Sequence, residues 1–119
     1  MTDALSSWME KYQRAWESNE PADIKALFTE TAEYRTEPNS EPWVGHAGIV
    51  DGWIEAKDEP GEAAFTWMPV VSTADVGIAQ AETVYEARGI TYSNLWVIRF
   101  APDGRATAFT EWWMDQAAS

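Results

Sequence analysis

The spacing of hydrophobic residues predicts three helices in the first half of the chain. The first helix should run from about residue 4 to 18, with Asp3 as its cap, because Leu5, Trp8, Met9, Tyr12, Ala15 and Trp16 recur at helical intervals. Pro21 suits the first turn of a short second helix with Ile24, Leu27 and Phe28 on one side. A third helix over about 46 to 57 carries Ile49, Val50, Trp53 and Ile54, and Asp58-Glu59-Pro60-Gly61 ends it.

The remaining hydrophobic pattern predicts strands. These cover residues 31 to 36, 63 to 72, 76 to 87, 91 to 100 and 105 to 114, separated late in the chain by Asp75, Gly89 and Pro102-Asp103-Gly104. Ten residues span roughly 33 Å, which is longer than a common strand and favours a strongly curved sheet. Helices followed by a meander of antiparallel strands predict an α+β domain, with the sheet curving over the helices as a cone around a cavity.

Composition limits the classes of partner. The 119 residues, 45% of them hydrophobic, suit one domain over 1–119, and the net charge of −12 disfavours nucleic acid and anionic lipid. No apolar run approaches the length of about 18 residues typical of a membrane span, and the start of the chain lacks a secretion signal, so we expect a cytoplasmic protein. With no cysteine and one histidine, His46, neither a thiolate nor a multi-histidine metal site is available, and no cofactor is implied.

Several segments together carry a resemblance to a known family. They are Trp8 to Trp16, Leu27-Phe28, Ala32-Glu33-Tyr34, Pro42-Trp43-Val44-Gly45 leading to Ile49, and Arg99-Phe100-Ala101-Pro102-Asp103-Gly104. In order and spacing they resemble the SnoaL-like branch of the nuclear transport factor 2 (NTF2) superfamily. The resemblance implies a cone-shaped fold with a pocket. Because that superfamily includes ketosteroid isomerases, polyketide cyclases, scytalone dehydratase, limonene epoxide hydrolase and binding proteins, it does not fix an activity.

A comparison with the ketosteroid isomerases over residues 12 to 53 argues against steroid isomerisation. Tyr12 matches their oxyanion-binding phenol and Trp53 matches a supporting tyrosine, but Thr36 stands where the resemblance places the general base. The position of a second oxyanion donor holds Trp96. Glu37 follows Thr36 directly, and neighbouring residues on a strand face opposite ways, so Glu37 should not replace the base.

The same comparison indicates which residues line the cavity. Besides Trp16 and Trp53 these are Tyr34 and Thr36 on the first strand, Tyr92, Asn94 and Trp96 on the penultimate strand, and Phe109, Glu111 and Trp113 on the last. Period-two alternation agrees within each strand. A four-residue loop over 101 to 104 places Asn94 opposite Glu111, whereas a three-residue loop with a bulge at Gly104 places Leu95 there. The sequence leaves both registers open.

Glu111 is the main candidate for chemistry. Its structural interpretation is an ion pair with Arg99 or Arg88, and its functional interpretation is a carboxyl whose pKa is raised among aromatic rings. In an enzyme acting on a small apolar ligand (an isomerase, cyclase, dehydratase or epoxide hydrolase), Glu111 would carry the proton, and Tyr12 and Asn94 would donate hydrogen bonds. The alternative is a binding module with the same cavity, in which Tyr12 is a core residue. We expect the tryptophans to be core and cavity-wall residues rather than catalytic ones, and His46, at a helix start, to be a surface or loop-anchoring residue, with a catalytic role as the alternative.

The opposite face of the predicted sheet also carries apolar residues. Leu95, Val97 and Trp112 share this outer face, where they would form an exposed patch. Such patches usually mark a partner surface. The sequence therefore predicts a homodimer formed through the outer face of the sheet.

Overall fold

The structure, a computed structural model, describes residues 4–56 and 63–118. Its elements in chain order are α1 (Ala4–Ser18), α2 (Pro21–Lys25), β1 (Phe28–Arg35), β2 (Trp43–Val44), α3 (Gly45–Ala56), β3 (Ala64–Ser72), β4 (Val76–Tyr85), β5 (Ile90–Phe100) and β6 (Ala106–Asp115). Short 3-10 turns follow β4 and β6. The α+β fold is confirmed. The proposed cap Asp3 and the helix-ending segment 58–61 lie outside the described residues.

The six strands of the described chain form one open sheet in the order β2-β1-β6-β5-β4-β3. Four of its pairings are antiparallel, but β1 and β6 run parallel, with Tyr34 beside Phe109. The predicted sheet of antiparallel strands is therefore a mixed sheet, because the parallel β1–β6 pair was not predicted. A hydrophobic pattern identifies strands but not their partners, and β6 uses its free edge to pair with a strand formed much earlier in the chain.

Helix α1 packs against the centre of this sheet. The Trp8 ring stacks on Phe109 of β6 at 5.8 Å between centroids, and Tyr12 meets Trp96 of β5 at 5.3 Å. Buried Trp8 donates its Nε1–H to the Leu27 carbonyl oxygen at 2.9 Å, and the same oxygen accepts from the Ala106 amide at 2.7 Å. One carbonyl therefore links α1, the end of α2 and the start of β6.

Most of the predicted core is buried. Trp8, Leu27, Phe28, Ile49 and Trp53 are at most 5% exposed, whereas Trp16 and Val50 pack around this cluster and are partly buried. The structure differs from the helix predictions in two details. Phe28 begins β1 rather than closing α2, and Ile54 is exposed because it points away from the stripe that contacts the sheet.

The β5–β6 hairpin follows neither predicted register. Phe100 pairs with Ala106, which leaves residues 101–105 as the loop, and a bulge then shifts Arg99 onto Ala108. Trp96 is consequently the residue opposite Glu111. This register differs by two residues from the one that placed Asn94 there, and because side chains alternate along a strand, Asn94, Trp96 and Glu111 still share one face.

No helix within the described residues has the length and apolar character needed to cross a membrane.

Candidate functional site

A cavity of about 300 Å³ lies between α1 and the face of the sheet that the helix covers. Its lining residues come from α1, β1, β2, β4, β5, β6 and the segment after β1. They are Tyr12, Trp16, Tyr34, Thr36, Trp43, Thr83, Tyr85, Tyr92, Asn94, Trp96, Glu111 and Trp113. The volume is at the lower end of the range for small-molecule sites, so the cavity has room for a compact ligand with one or two rings.

The structure brings together nine of the eleven residues that the sequence suggested for the site. All three proposed catalytic residues, Glu111, Tyr12 and Asn94, line the cavity, with the predicted wall residues Trp16, Tyr34, Thr36, Tyr92, Trp96 and Trp113. Sequence reasoning missed Trp43, Thr83 and Tyr85. On β4, Thr83 and Tyr85 continue the alternation of Ala79 and Ala81, which are buried on the face towards the helices. This period of two in the sequence could have identified both residues as part of the cavity wall.

Phe109 and Trp53 lie behind the cavity wall rather than on its surface. Phe109 is fully buried and stacks on Tyr34 at 4.5 Å. Trp53 meets Tyr12 edge to face and donates its Nε1–H to Asn19 Oδ1 at 3.0 Å. Asn19 has a φ of 52° and follows the last residue of α1, a left-handed position that asparagine tolerates. These residues hold the wall in place.

A hydrogen-bonded chain of side chains ends at Glu111. Thr83 Oγ1 donates to Asn94 Oδ1 at 2.7 Å, and Asn94 Nδ2 donates to Glu111 Oε2 at 3.1 Å. Trp96 Nε1 donates to the same Oε2 at 2.8 Å. Glu111 Oε1 has no hydrogen-bond partner among the described residues, and it is not sealed from solvent. The protein therefore fixes one carboxylate oxygen and leaves the other to the cavity.

Burial raises the pKa of the Glu111 carboxyl above its ordinary value, and the hydrogen bonds from Trp96 and Asn94 offset part of this rise. No lysine or arginine of the described chain forms an ion pair with Glu111; the ion pairs Arg35–Glu33 and Arg105–Asp103 lie elsewhere. The environment that was inferred from sequence, a desolvated carboxyl among aromatic rings, is therefore the one that the structure shows.

Two buried tyrosines, Tyr12 and Tyr34, lie on the cavity wall. Burial raises the pKa of both Tyr12 and Tyr34, and the nearby Glu111 charge raises both further. The phenols are hydrogen-bonding groups rather than acids at neutral pH.

Trp43 forms a wall that the sequence did not predict. Its ring stacks on Tyr34 at 4.8 Å with an interplanar angle of 12°, so Tyr34 lies between Trp43 and Phe109. On its other side, Trp43 lies against Gly52 of α3, where an added Cβ would come within 2.3 Å of the indole. A glycine at position 52 therefore makes room for this ring.

His46 lies outside the cavity lining. Its Nε2–H donates to the Phe28 carbonyl oxygen at 2.8 Å and ties the start of α3 to β1. In residues 4–56 and 63–118, no group of three histidine, aspartate or glutamate side chains is placed to hold a metal ion.

The opposite face of the sheet carries an open groove of about 440 Å³. It is lined by Glu37, Pro38, Gln80, Ser93, Asn94, Leu95, Trp112, Trp113 and Met114. Leu95 pairs directly with Trp112, which is 51% exposed, as expected for residues on the outer face. Glu37 borders this groove and is not among the cavity-lining residues, so it lies on the other side from Thr36, as expected for neighbouring residues of an extended segment.

The described helices and the mixed six-stranded sheet form an α+β domain with an aromatic-lined cavity. The SnoaL-like domain model matches residues 9–109, so the chain belongs to the SnoaL-like domain family. The comparison with curated proteins gives no match.

Solved structures agree on the fold. An NTF2-like protein of unknown function from Burkholderia xenovorans LB400 is similar with a TM-score of 0.74 and 12% identity, covering 94% of this chain and 84% of that one. A protein from Kribbella flavida DSM 17836, provisionally described as a ketosteroid isomerase, is similar with a TM-score of 0.71 and 17% identity. The match covers 91% of this chain and 76% of that one. A third similar structure is the epoxide hydrolase/cyclase-like enzyme SalBIII, which has a role in pyran ring formation in the polyether salinomycin. Its TM-score is 0.70 at 12% identity, and the match covers 92% of this chain and 89% of that one. At these identities the likeness shows the fold alone.

Proposed function

We propose that this protein is a cofactor-independent enzyme that transfers a proton to or from a small, mostly apolar, ring-containing molecule. The arrangement of Glu111 carries the proposal. Because two N–H donors occupy Oε2, a neutral carboxyl keeps its proton on Oε1, and an ionised one presents Oε1 as the open acceptor. The same cavity-facing oxygen can therefore give or take a proton.

The neighbouring groups support this role. The raised pKa brings the ionisation of Glu111 closer to neutral pH, where a carboxyl acts efficiently as both acid and base. Asn94 donates to Glu111 and so holds the carboxyl in place. Tyr12 and Tyr34 also line the cavity, where their hydroxyl groups can donate hydrogen bonds to a ligand oxygen.

The reaction types that fit are isomerisation, cyclisation, dehydration and epoxide opening. SalBIII acts in pyran ring formation, which favours the cyclase and epoxide hydrolase members of this set. Steroid isomerisation fits less well, because Thr36 lies in the cavity where the ketosteroid isomerases keep their base. We place the enzyme in the cytoplasm.

A binding module with the same cavity is the second candidate. The observation that favours it is the lining itself, which among the described residues contains Glu111 as its one carboxyl and no histidine, lysine or arginine. A reaction that needs separate acid and base residues would lack one of them. A binding protein needs only the aromatic walls and the hydrogen-bonding groups.

Ligand uptake is the first test of both candidates. We expect compact aromatic and terpenoid compounds to raise the melting temperature and to change tryptophan emission, because Trp16, Trp43, Trp96 and Trp113 line the cavity. Turnover assays on the compounds that bind then separate an enzyme from a binding module. If a broad panel gave neither effect, the cavity would be a loosely packed core and both candidates would fail.

The outer face is proposed to form a homodimer, which would cover Leu95 and Trp112. Light scattering at micromolar concentration should give twice the 13.4 kDa monomer mass. Trp112→Arg should shift the mass to the monomer, whereas Val44→Arg, at a 57% exposed position on the edge strand β2, should not. A monomeric unmodified chain would contradict the proposal.

A further inference from the structure

The cavity combines two features that together identify a class of ligand. Eight of its twelve lining residues are tryptophan or tyrosine, so ring surfaces dominate the wall. Within this wall lies the largely buried carboxyl of Glu111, which has no cationic partner among the described residues. A buried carboxylate is normally paired, and aromatic faces attract cations through their quadrupole.

We propose that the ligand of this cavity carries a positively charged nitrogen, as an alkylammonium or a quaternary ammonium group attached to an apolar ring. The charged nitrogen lies next to Glu111 Oε1, and its alkyl substituents contact the surrounding rings. The proposal rests on the cavity's proposed function in binding a small molecule, and it adds the charge of that molecule.

The hydrogen bonds of Glu111 favour this placement. Oε2 is occupied by Trp96 and Asn94, which leaves Oε1 as the acceptor that faces the cavity. A cation beside Oε1 stabilises the ionised carboxylate that burial otherwise disfavours, so with such a ligand bound Glu111 serves the proposed proton transfer as its base. A quaternary ammonium group donates no hydrogen bond, but it needs none, because attraction to the charge and to the rings is sufficient.

The other charges around the site are compatible with a cation. Among the described residues, the titratable groups that line the cavity with Glu111 are Tyr12 from α1, Tyr34 from β1, Tyr85 from β4 and Tyr92 from β5. The Arg88 guanidinium lies over the Tyr85 ring with Cζ at 5.2 Å from the centroid, so one cavity tyrosine already interacts with a cation of the protein. The net charge of −12 further favours the entry of cations over anions.

The test compares two ligands of nearly equal shape. Benzyltrimethylammonium has a fixed positive charge, and neopentylbenzene replaces its nitrogen by carbon. By calorimetry at pH 8 in physiological salt, we expect the cation to bind about tenfold or more tightly than the neutral compound. Because the ligand charge is fixed, a loss of its affinity at pH 5 would come from protonation of the protein, and it should be absent for neopentylbenzene.

Glu111→Gln is the matched variant, because it keeps the shape and removes the charge. It should abolish the preference for the cation and its pH dependence while leaving the binding of neopentylbenzene unchanged, which also shows that the variant is folded. Equal or tighter binding of the neutral compound by the unmodified protein would overturn the inference and leave the proposed function standing. If neither compound bound, and the wider panel of ring compounds also failed, the proposed function would fail as well.

Discussion

Glu111→Gln is expected to lower kcat by roughly 10²- to 10⁴-fold on any substrate that the protein converts, because the amide can neither give nor take the proton. Binding of a neutral ligand should change little. The glutamine oxygen can still accept from Trp96 and Asn94, so the side chain keeps its place in the wall. Steady-state kinetics and direct titration of the ligand separate the two effects.

Glu37→Gln is the matched control for this prediction. It makes the same chemical change only one residue beyond the cavity residue Thr36, but Glu37 borders the outer groove. Its kcat should equal that of the unmodified protein. Full activity in Glu111→Gln would remove the proton carrier from the mechanism and leave the binding module as the better assignment.

The stability of Glu111→Gln provides a second readout that needs no substrate. Since the folded-state pKa of Glu111 is raised, the folded protein holds its proton more tightly than the unfolded chain. The stabilisation that this gives is complete below the ordinary pKa of 4.5 and is lost as the pH rises through the folded-state value. Glu111→Gln has no carboxyl at this position and therefore no such loss. The melting temperature of the variant minus that of the unmodified protein should be larger at pH 8 than at pH 4.5.

Trp8→Ala is expected to lower the free energy of unfolding by about 3–5 kcal/mol, a large part of the stability of a small domain. The substitution removes an indole that is 2% exposed, stacks on Tyr12 and Phe109, and donates to the Leu27 carbonyl. Urea denaturation followed by circular dichroism measures the change. If the loss were under about 1 kcal/mol, Trp8 would not be the centre of the core.

Two further variants make the Trp8 experiment interpretable. Trp8→Phe keeps a ring and removes the N–H donor, and it should cost roughly 1–2 kcal/mol because the Leu27 carbonyl retains its bond from Ala106. Trp113→Ala makes the same truncation at a half-exposed position and should cost about 1 kcal/mol or less.

The sequence predicted best those elements whose pattern depends on local contacts. Helix α1 was placed correctly because its apolar residues repeat along one face. The shared face of Asn94, Trp96 and Glu111 came from the comparison with the ketosteroid isomerases, and the alternation within each strand agreed with it. The register of the β5–β6 hairpin was wrong because the loop length and the bulge between the Arg99–Ala108 and Phe100–Ala106 pairs depend on the packed structure. Trp43 was missed as a wall residue because β2 has only two residues, which is too short to give a pattern.

The central position of β6 has a consequence for folding. β6 comes after every other strand in the sequence, yet it lies between β1 and β5, and its parallel partner β1 begins at Phe28. A nascent chain can close neither this pairing nor the contact of Trp8 with Phe109 until β6 has been synthesised. Contacts so distant in sequence slow the search for the native state. The aromatic face of helix α1 therefore stays uncovered until β6 has been synthesised. Because exposed apolar surface promotes aggregation, the incomplete chain is more prone to aggregate than the finished one.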